Sequence, residues 1–328
     1  MRIAVVGAGA MGQSYGGHLA RSGHEVRLVD IWREHVGVIN QQGARLRGVL
    51  GDHTVKCPAF TELPEPGWAD VVIVFVDANS TEAGAHTAKA IRAPDGCVIS
   101  FQNGIGNVEV LVDVIGRAHV LGGSSMCSAA LEAPGIACLT HLGPTSIGEL
   151  DGTSDTARVR ALGQVLEGAG FAVNVEPDVM AKIWNKCAVN AAINAICATT
   201  GLRLGEMIQI PEIDAFQTEV LKEVLAVVEA KGIKLPDPDI IATIKKHCQV
   251  KFSRPSMLQH VEAGRRTEID AINGAIVREA SALGLSAPYN AALTALLKGR
   301  ERRETQRLHE PAPDYEALEA GARAQLTV

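Results

Sequence analysis

Residues Arg2 to Gly12 read RIAVVGAGAMG, an apolar run of β-type residues followed at once by the pattern G-x-G-x-x-G. Gly7 sits where a tight turn is needed, and Gly9 where the backbone must come close to a pyrophosphate. Gly12 sits where the next helix must pack against the strand. The stretch Gly7, Ala8, Gly9, Ala10, Met11 and Gly12 is therefore read as the cofactor loop. A helix over Ala10 to Ser22, closed by Gly23, and a strand over His24 to Asp30 complete a βαβ opening. Asp30 falls 18 residues after Gly12, where an acid is expected in such a unit. Dinucleotide binding follows.

A carboxylate ending the second strand can accept both ribose hydroxyls of an adenosine and repels a 2′-phosphate. Asp30 therefore favours NAD, while Arg33, three residues on, keeps NADP open. A turn or helix-cap aspartate is the other reading of Asp30. Short strand-like pieces fill Gly43 to Phe60, and Ala69 to Val76 is a buried parallel strand ending at Asp77. A helix then runs to about Arg92, and Cys97 to Phe101 is a further strand, followed by Gln102 and Asn103. In open α/β sheets ligands sit outside the carboxyl ends of strands, the edge that Asp77 and Asn103 occupy. Asn103 before glycine is also a good turn residue. Val120 to Glu149 turns at Pro134-Gly135 and Gly143-Pro144 and is expected to add two antiparallel strands. A helix near Thr156 to Ala169 and a strand over Phe171 to Val175 end the alternation. The fold class is α/β: an N-terminal doubly wound sheet of the Rossmann type, over residues 1–176.

From Pro177 the strand signal stops, and residues 177–328 read as an all-α domain, charged and Pro-containing after about 300. Its first helix spans Asp178 to Gly201, DVMAKIWNKCAVNAAINAICATTG. Lys186, Asn190 and Asn194 recur every fourth residue, and steps of four drift by only about 40°, so they form one polar stripe. A helix otherwise apolar nearly all round is buried, and its polar groups need partners. A polar ligand and a structural network with a neighbouring helix both supply them. Pro211 opens a helix that Gly232 stops, and Pro255 opens another at Ser256 that ends at Gly264. A further helix begins in Arg265-Arg266-Thr267-Glu268-Ile269-Asp270, with Ile269, Ile272, Ile276 and Leu283 as its apolar side. Thr267 and Asp270 read as a capping pair, and Glu268 is favoured there by the helix dipole alone.

Composition narrows the classes. The chain has 328 residues, 47% hydrophobic and 21% charged, with a formal net charge of −6. That is globular, and gives no reason to expect nucleic acid or an anionic membrane as partner. No apolar run reaches the roughly 20 residues that span a bilayer. Met1-Arg2 leads straight into the first strand, so no signal peptide is expected. Seven scattered cysteines without a C-x-x-C pair suit reduced thiols in the cytoplasm. Ten histidines without metal-binding spacing signal no metal.

Taken together, the residues resemble the ketopantoate reductase (2-dehydropantoate 2-reductase) family. The likeness is carried by GAGAMG, QNGIG at 102–106, HLGPTSIGE, WNKCAVNAAIN at 184–194, RPSML at 254–258 and RRTEID at 265–270. It implies a nicotinamide-dependent reductase of a branched 2-oxo acid, ketopantoate first, with a homodimer left open. Lys186 is then the general acid, with Glu268 hydrogen-bonding near the reacting centre. Asn190 and Asn194 bind substrate polar groups, Ser256 the substrate carboxylate, and Asn103 lies between cofactor and substrate. Two positions depart from the family pattern. Asp77 stands where a lysine is usual, and Asp30-Ile31 occupies the turn where most members carry an arginine for NADP. An NAD-dependent dehydrogenase of the same plan acting on another branched 2-oxo acid fits as well. A β-hydroxyacid dehydrogenase lacks support because Ile183-Trp184-Asn185 replaces the glycine-rich run usual before its lysine. A non-catalytic nicotinamide sensor is the reading from another class.

Overall fold

The structure is a computed structural model and describes residues 1–62 and 65–326. The chain forms two compact units, Met1–Val189 with Val228–Pro238, and Asn190–Val227 with Asp239–Val328.

In the first unit the strands are β1 (Arg2–Val6), β2 (Glu25–Val29), β3 (Ala44–Gly48), β4 (His53–Val55), β5 (Ala59–Phe60) and β6 (Ala69–Val74). They continue as β7 (Arg92–Ser100), β8 (Val120–Ser125), β9 (Ser128–Ala133), β10 (Ile136–His141), β11 (Thr145–Glu149) and β12 (Val173–Val175). An eight-stranded sheet runs in the order β12-β11-β8-β7-β6-β1-β2-β5. β1 lies inside it, parallel to both β2 and β6. Its side chains alternate between two cores, as the strand period of two requires. Ile3 and Val5 pack on one face with Leu28, Ile73, Tyr15 and Leu19, the last two from helix α1 (Ala10–Arg21). Ala4 and Val6 pack on the other with Val72, Val74, Ala88 and Leu111. A strand buried on both faces reads as an unbroken apolar run, which is why RIAVV carries no polar alternation. Helices α2 (Arg33–Gln42), α3 (Thr81–Ile91), α4 (Asn107–Ile115) and α5 (Ala157–Gly168) complete the alternation of strand and helix.

The segment 120–149 differs from expectation. It supplies four strands, of which β8 and β11 pair antiparallel in the large sheet. The β9–β10 hairpin leaves to join β3 and β4 in a second sheet, ordered β4-β3-β10-β9. Burial explains the division. β8 and β11 are buried throughout, whereas β9 and β10 are largely exposed on one face.

His18, on α1, is buried with its Nδ1 unpartnered among the described residues. Burial, with Arg21 and His53 nearby, pushes its pKa down to about 4. The unfolded chain takes up that proton near pH 6.5. Stability from this group is therefore full above pH 6.5 and falls as the pH drops to about 4, where the loss is complete, on the order of 3 kcal/mol. Denaturant unfolding at pH 7 and pH 4.5 should show a smaller drop for His18→Leu than for the unmodified chain. Equal drops would sink this account.

The long helix α6 (Val179–Thr200) contributes to both units. Asp178 caps it, its Oδ1 accepting from the Ala181 amide at 2.9 Å. Then follow α7 (Leu204–Ile208), α8 (Pro211–Ala230), α9 (Ile240–Gln249), α10 (Ser256–Glu262), α11 (Asn273–Ala282), α12 (Pro288–His309) and α13 (Tyr315–Leu326). Buried Asn273 donates to the Ala191 carbonyl at 3.1 Å and to Asn290 Oδ1 at 2.9 Å. Asn290 in turn donates to Glu223 at 2.7 Å, and Glu223 accepts the Tyr289 and Asn290 amides that open α12. This network satisfies polar groups that would otherwise be costly to bury, except Asn273 Oδ1, which has no partner among the described residues.

Three local expectations change. Thr267 accepts from the Ile269 amide, but Asp270 does not return the bond: the Thr267 amide donates to Glu301 at 2.5 Å, and Asp270 pairs with Lys298 at 2.6 Å. A short 3-10 turn, Ile269–Ala271, stands between the segment and α11. Leu283 is exposed, at the end of α11 rather than on its buried side. The charged tail is helical: α12 continues to His309 and α13 follows. Among the described residues no helix is long and apolar enough to cross a membrane.

Candidate active site

The glycine loop is shaped by three different constraints. Gly7 has φ 93, and a Cβ there would lie 2.5 Å from the Val76 amide nitrogen, so only glycine fits. At Gly12 a Cβ would lie 1.8 Å from the Gly7 carbonyl oxygen, which is how α1 comes so close to the loop. At Gly9 the space is open, with nothing within 4 Å of a Cβ. The first intrahelical bond of α1 runs from the Gln13 amide to the Gly9 carbonyl, so the amides of residues 10–12 precede the ladder. The first turn of α1 carries no acidic residue. A helix N-terminus with open space before it and no carboxylate in its own first turn suits a phosphate. These residues fit a dinucleotide.

Asp30 closes on this loop. Its Oδ2 accepts from the Ala8 amide at 2.7 Å and its Oδ1 from the Trp32 amide at 2.9 Å. Each carboxylate oxygen has two lone pairs, so the turn role leaves capacity for ribose hydroxyls. The two readings of Asp30 are thus compatible. Ile31 is exposed, as is Arg33 at the start of α2.

Two side chains that the sequence reading passed over hold the loop from behind. His35 is fully buried in α2, with Nε2 2.8 Å from the Ala8 carbonyl oxygen, and its Nδ1 accepts from the Gly135 amide at 3.0 Å. Gln13 donates to the Arg45 and Gly135 carbonyls at 2.9 and 2.7 Å. Gly135 is the tip between β9 and β10, so the second sheet is tied to the glycine loop through His35 and to α1 through Gln13.

Asn103 follows β7, at the carboxyl edge of the large sheet. Its carbonyl accepts from Asn107 Nδ2 at 2.9 Å. Thr81 Oγ1 donates to Asn107 Oδ1 at 2.7 Å, and Gln102 Nε2 donates to Thr81 at 2.9 Å and to the Val76 carbonyl at 2.7 Å. The polar cluster Thr81, Gln102 and Asn107 therefore sets the Asn103 turn. The unusual polar run QNGIGN at a strand end was its only signal. Asp77, exposed at the neighbouring strand end, makes no side-chain cap.

On α6, Lys186 and Asn190 are half-buried and Asn194 is buried. Among the described residues neither the Asn190 nor the Asn194 side chain is hydrogen-bonded. The Asn273 network reaches this helix at the Ala191 backbone, not at the Asn190 or Asn194 side chain. Beside Lys186, Cys187 is so desolvated that its thiol is pushed up to about 12, and Asn185 Oδ1 is buried with no hydrogen-bond partner among the described residues. In the second unit, Ser256 is exposed at the start of α10, and Glu268 is half-buried just before the 3-10 turn. No group of three or more His, Cys, Asp or Glu among the described residues could hold a metal ion.

Residues 3–152 match the family described as Ketopantoate reductase PanE/ApbA, and residues 178–301 match Ketopantoate reductase PanE/ApbA C terminal. A 2-dehydropantoate 2-reductase of Pyrococcus abyssi is 33% identical over 305 residues, covering 93% of this chain and 99% of its own. That of Pyrococcus horikoshii is 34% identical over 301 residues, covering 92% and 98%. Among solved structures, a PanE/ApbA family ketopantoate reductase from Ralstonia eutropha superposes with TM-score 0.86 at 32% identity, covering 93% of this chain and 99% of that one. The ternary structure of D-mandelate dehydrogenase with NADH and anilino(oxo)acetate gives TM-score 0.86 at 29% identity, with the same coverage. Since one family accounts for both parts of the chain, and its members align along nearly their whole length, this chain belongs to the ketopantoate reductase family of nicotinamide-dependent oxidoreductases.

Proposed function

We propose that the protein reduces a branched 2-oxo acid to the 2-hydroxy acid with NADH, ketopantoate being the first candidate. The observation that carries this reading is the α6 stripe. Asn190 and Asn194 have no hydrogen-bond partner for their side chains among the described residues, although Asn194 is buried. An amide with no protein partner on that face can exchange its water for the polar groups of a ligand.

A bound reduced nicotinamide supplies a hydride to the ketone carbon. Negative charge then develops on the ketone oxygen, where the Lys186 ammonium stabilises it and donates the proton. Asn190 and Asn194 orient the substrate's polar groups, Ser256 holds its carboxylate, and Glu268 hydrogen-bonds near the reacting centre. Asn103, set by the Thr81–Gln102–Asn107 cluster, lies between cofactor and substrate. Gly7, Ala8, Gly9, Ala10, Met11 and Gly12 hold the pyrophosphate, and Asp30 the adenosine ribose.

Asp30 sets the cofactor. A carboxylate facing a 2′-phosphate costs a few kcal/mol through like charge and lost hydrogen bonds. NADH should exceed NADPH in kcat/KM, and Asp30→Ala should narrow the gap. An NADPH preference in the unmodified enzyme would overturn this choice. The substrate is tested by assaying both cofactors against a panel of 2-oxo acids, with ketopantoate expected to lead. A second reading, another branched or aromatic 2-oxo acid, is favoured by Asp77 and by the likeness to an NADH-bound D-mandelate dehydrogenase. It replaces ketopantoate if any other acid exceeds it tenfold in kcat/KM.

A further inference from the structure

We propose that His35 is a positioning residue of the cofactor site: it holds the Ala8 carbonyl so that the Gly9 N–H points at the dinucleotide pyrophosphate. The inference rests on the reading of the glycine loop as the pyrophosphate site.

The argument begins with the peptide unit joining Ala8 and Gly9. None of the described peptide bonds is cis. In a trans peptide the carbonyl and the amide hydrogen point in opposite directions, so whatever fixes the Ala8 carbonyl also aims the Gly9 N–H. The Ala8 carbonyl oxygen lies 2.8 Å from His35 Nε2. On the other side of the ring the Gly135 amide approaches Nδ1 at 3.0 Å. A backbone amide can only donate, so Nδ1 accepts and the ring proton sits on Nε2, where it is donated to Ala8. The tautomer is thus set by a hydrogen bond from the β9–β10 tip.

Ala8 is also held through its own amide, which donates to Asp30 at 2.7 Å. Both peptide planes flanking Ala8 are therefore fixed by side chains. The direction left to the Gly9 amide lies opposite buried His35, and the space around Gly9 on its Cβ side is open. A preoriented donor binds an anion without first losing backbone freedom, which is how positioning becomes affinity. The Trp32 ring, stacked on His35 with centroids 5.2 Å apart and planes at 13°, limits rotation of the imidazole.

Two substitutions separate this role from that of a simple clamp. His35→Gln keeps a donor near Nε2 and loses the acceptor toward Gly135. His35→Asn keeps an acceptor near Nδ1 and loses the donor toward Ala8. One hydrogen bond to an anion is worth about tenfold in affinity. We expect the Asn variant to raise the Kd and KM for NADH about tenfold, with kcat at saturating NADH nearly unchanged, and the Gln variant to stay within threefold. Equal weakening by both, or a folded Asn variant with unmodified affinity, overturns the proposal. Gly9→Val keeps the two failures apart, since its side chain enters open space and the fold should hold. If Gly9→Val weakens NADH binding and His35→Asn does not, only the role of His35 is wrong. If Gly9→Val leaves NADH binding intact, the loop reading itself fails. Should His35→Asn not fold, the amide proton resonance of Gly9 in the unmodified protein decides. It should move on adding NADH, and an unmoved resonance overturns the proposal.

Discussion

Lys186→Ala should cut kcat at least a hundredfold while leaving NADH affinity nearly unchanged. General acid catalysis by a positioned side chain is worth on the order of 10² to 10⁴ in rate. The cofactor loop and Asp30 are built on β1, α1 and β2, none of which includes Lys186. Alanine is also the best helix former, so α6 should not be weakened locally. A purely structural lysine predicts the reverse, a lower melting temperature with activity falling only as folded protein is lost. Thermal midpoint, NADH affinity and kcat measured on one variant separate the two. A stable variant keeping more than about a tenth of its kcat would mean that the proton comes from elsewhere.

The second large effect is on folding. Gly12→Ala places a Cβ 1.8 Å from the Gly7 carbonyl oxygen and 2.9 Å from its carbon. Both are backbone atoms, and Gly7 is itself braced against Phe75 and Val76, so no side chain can simply turn away. Overpacking of this kind belongs with the most costly single substitutions, roughly 4 kcal/mol or more. In a unit of this size that lowers the melting temperature by about 10 °C or more. Gly9→Ala, three residues earlier, meets nothing within 4 Å and has φ −60, which any residue adopts. It should melt with the unmodified protein and lose only NADH affinity. A Gly12→Ala variant as stable as Gly9→Ala would refute this reading of the loop.

The parts of the fold that were legible are those whose signal is local. RIAVV announced a strand buried on both faces, the glycines a turn and a close helix, and the four-residue spacing of Lys186, Asn190 and Asn194 a stripe. The second sheet was not legible. Its strands β3 and β4 are short, and β10 pairs with β3 across some ninety residues of chain, which no window can register. The same limit hid the partners of Thr267 and Asp270, since Glu301 and Lys298 both lie on a later helix. His35 was passed over because a lone histidine carries no pattern. Only the folded chain reveals that one ring meets a carbonyl of the cofactor loop and an amide of a distant hairpin. Asn273 was hidden likewise, its partners lying on two other helices.

Hairpin tips are the usual sites for tags, circular permutation and inserted domains, because their backbone is exposed and lightly bonded. The β9–β10 tip does not qualify. The Gly135 amide and carbonyl are both taken by side chains, His35 and Gln13, and if the proposed role of His35 holds, lengthening this turn should lower nucleotide affinity. Residues 153–155, exposed between β11 and α5, are the better place to open the chain. For anyone attaching a reporter to this enzyme, the neater-looking loop is the wrong one.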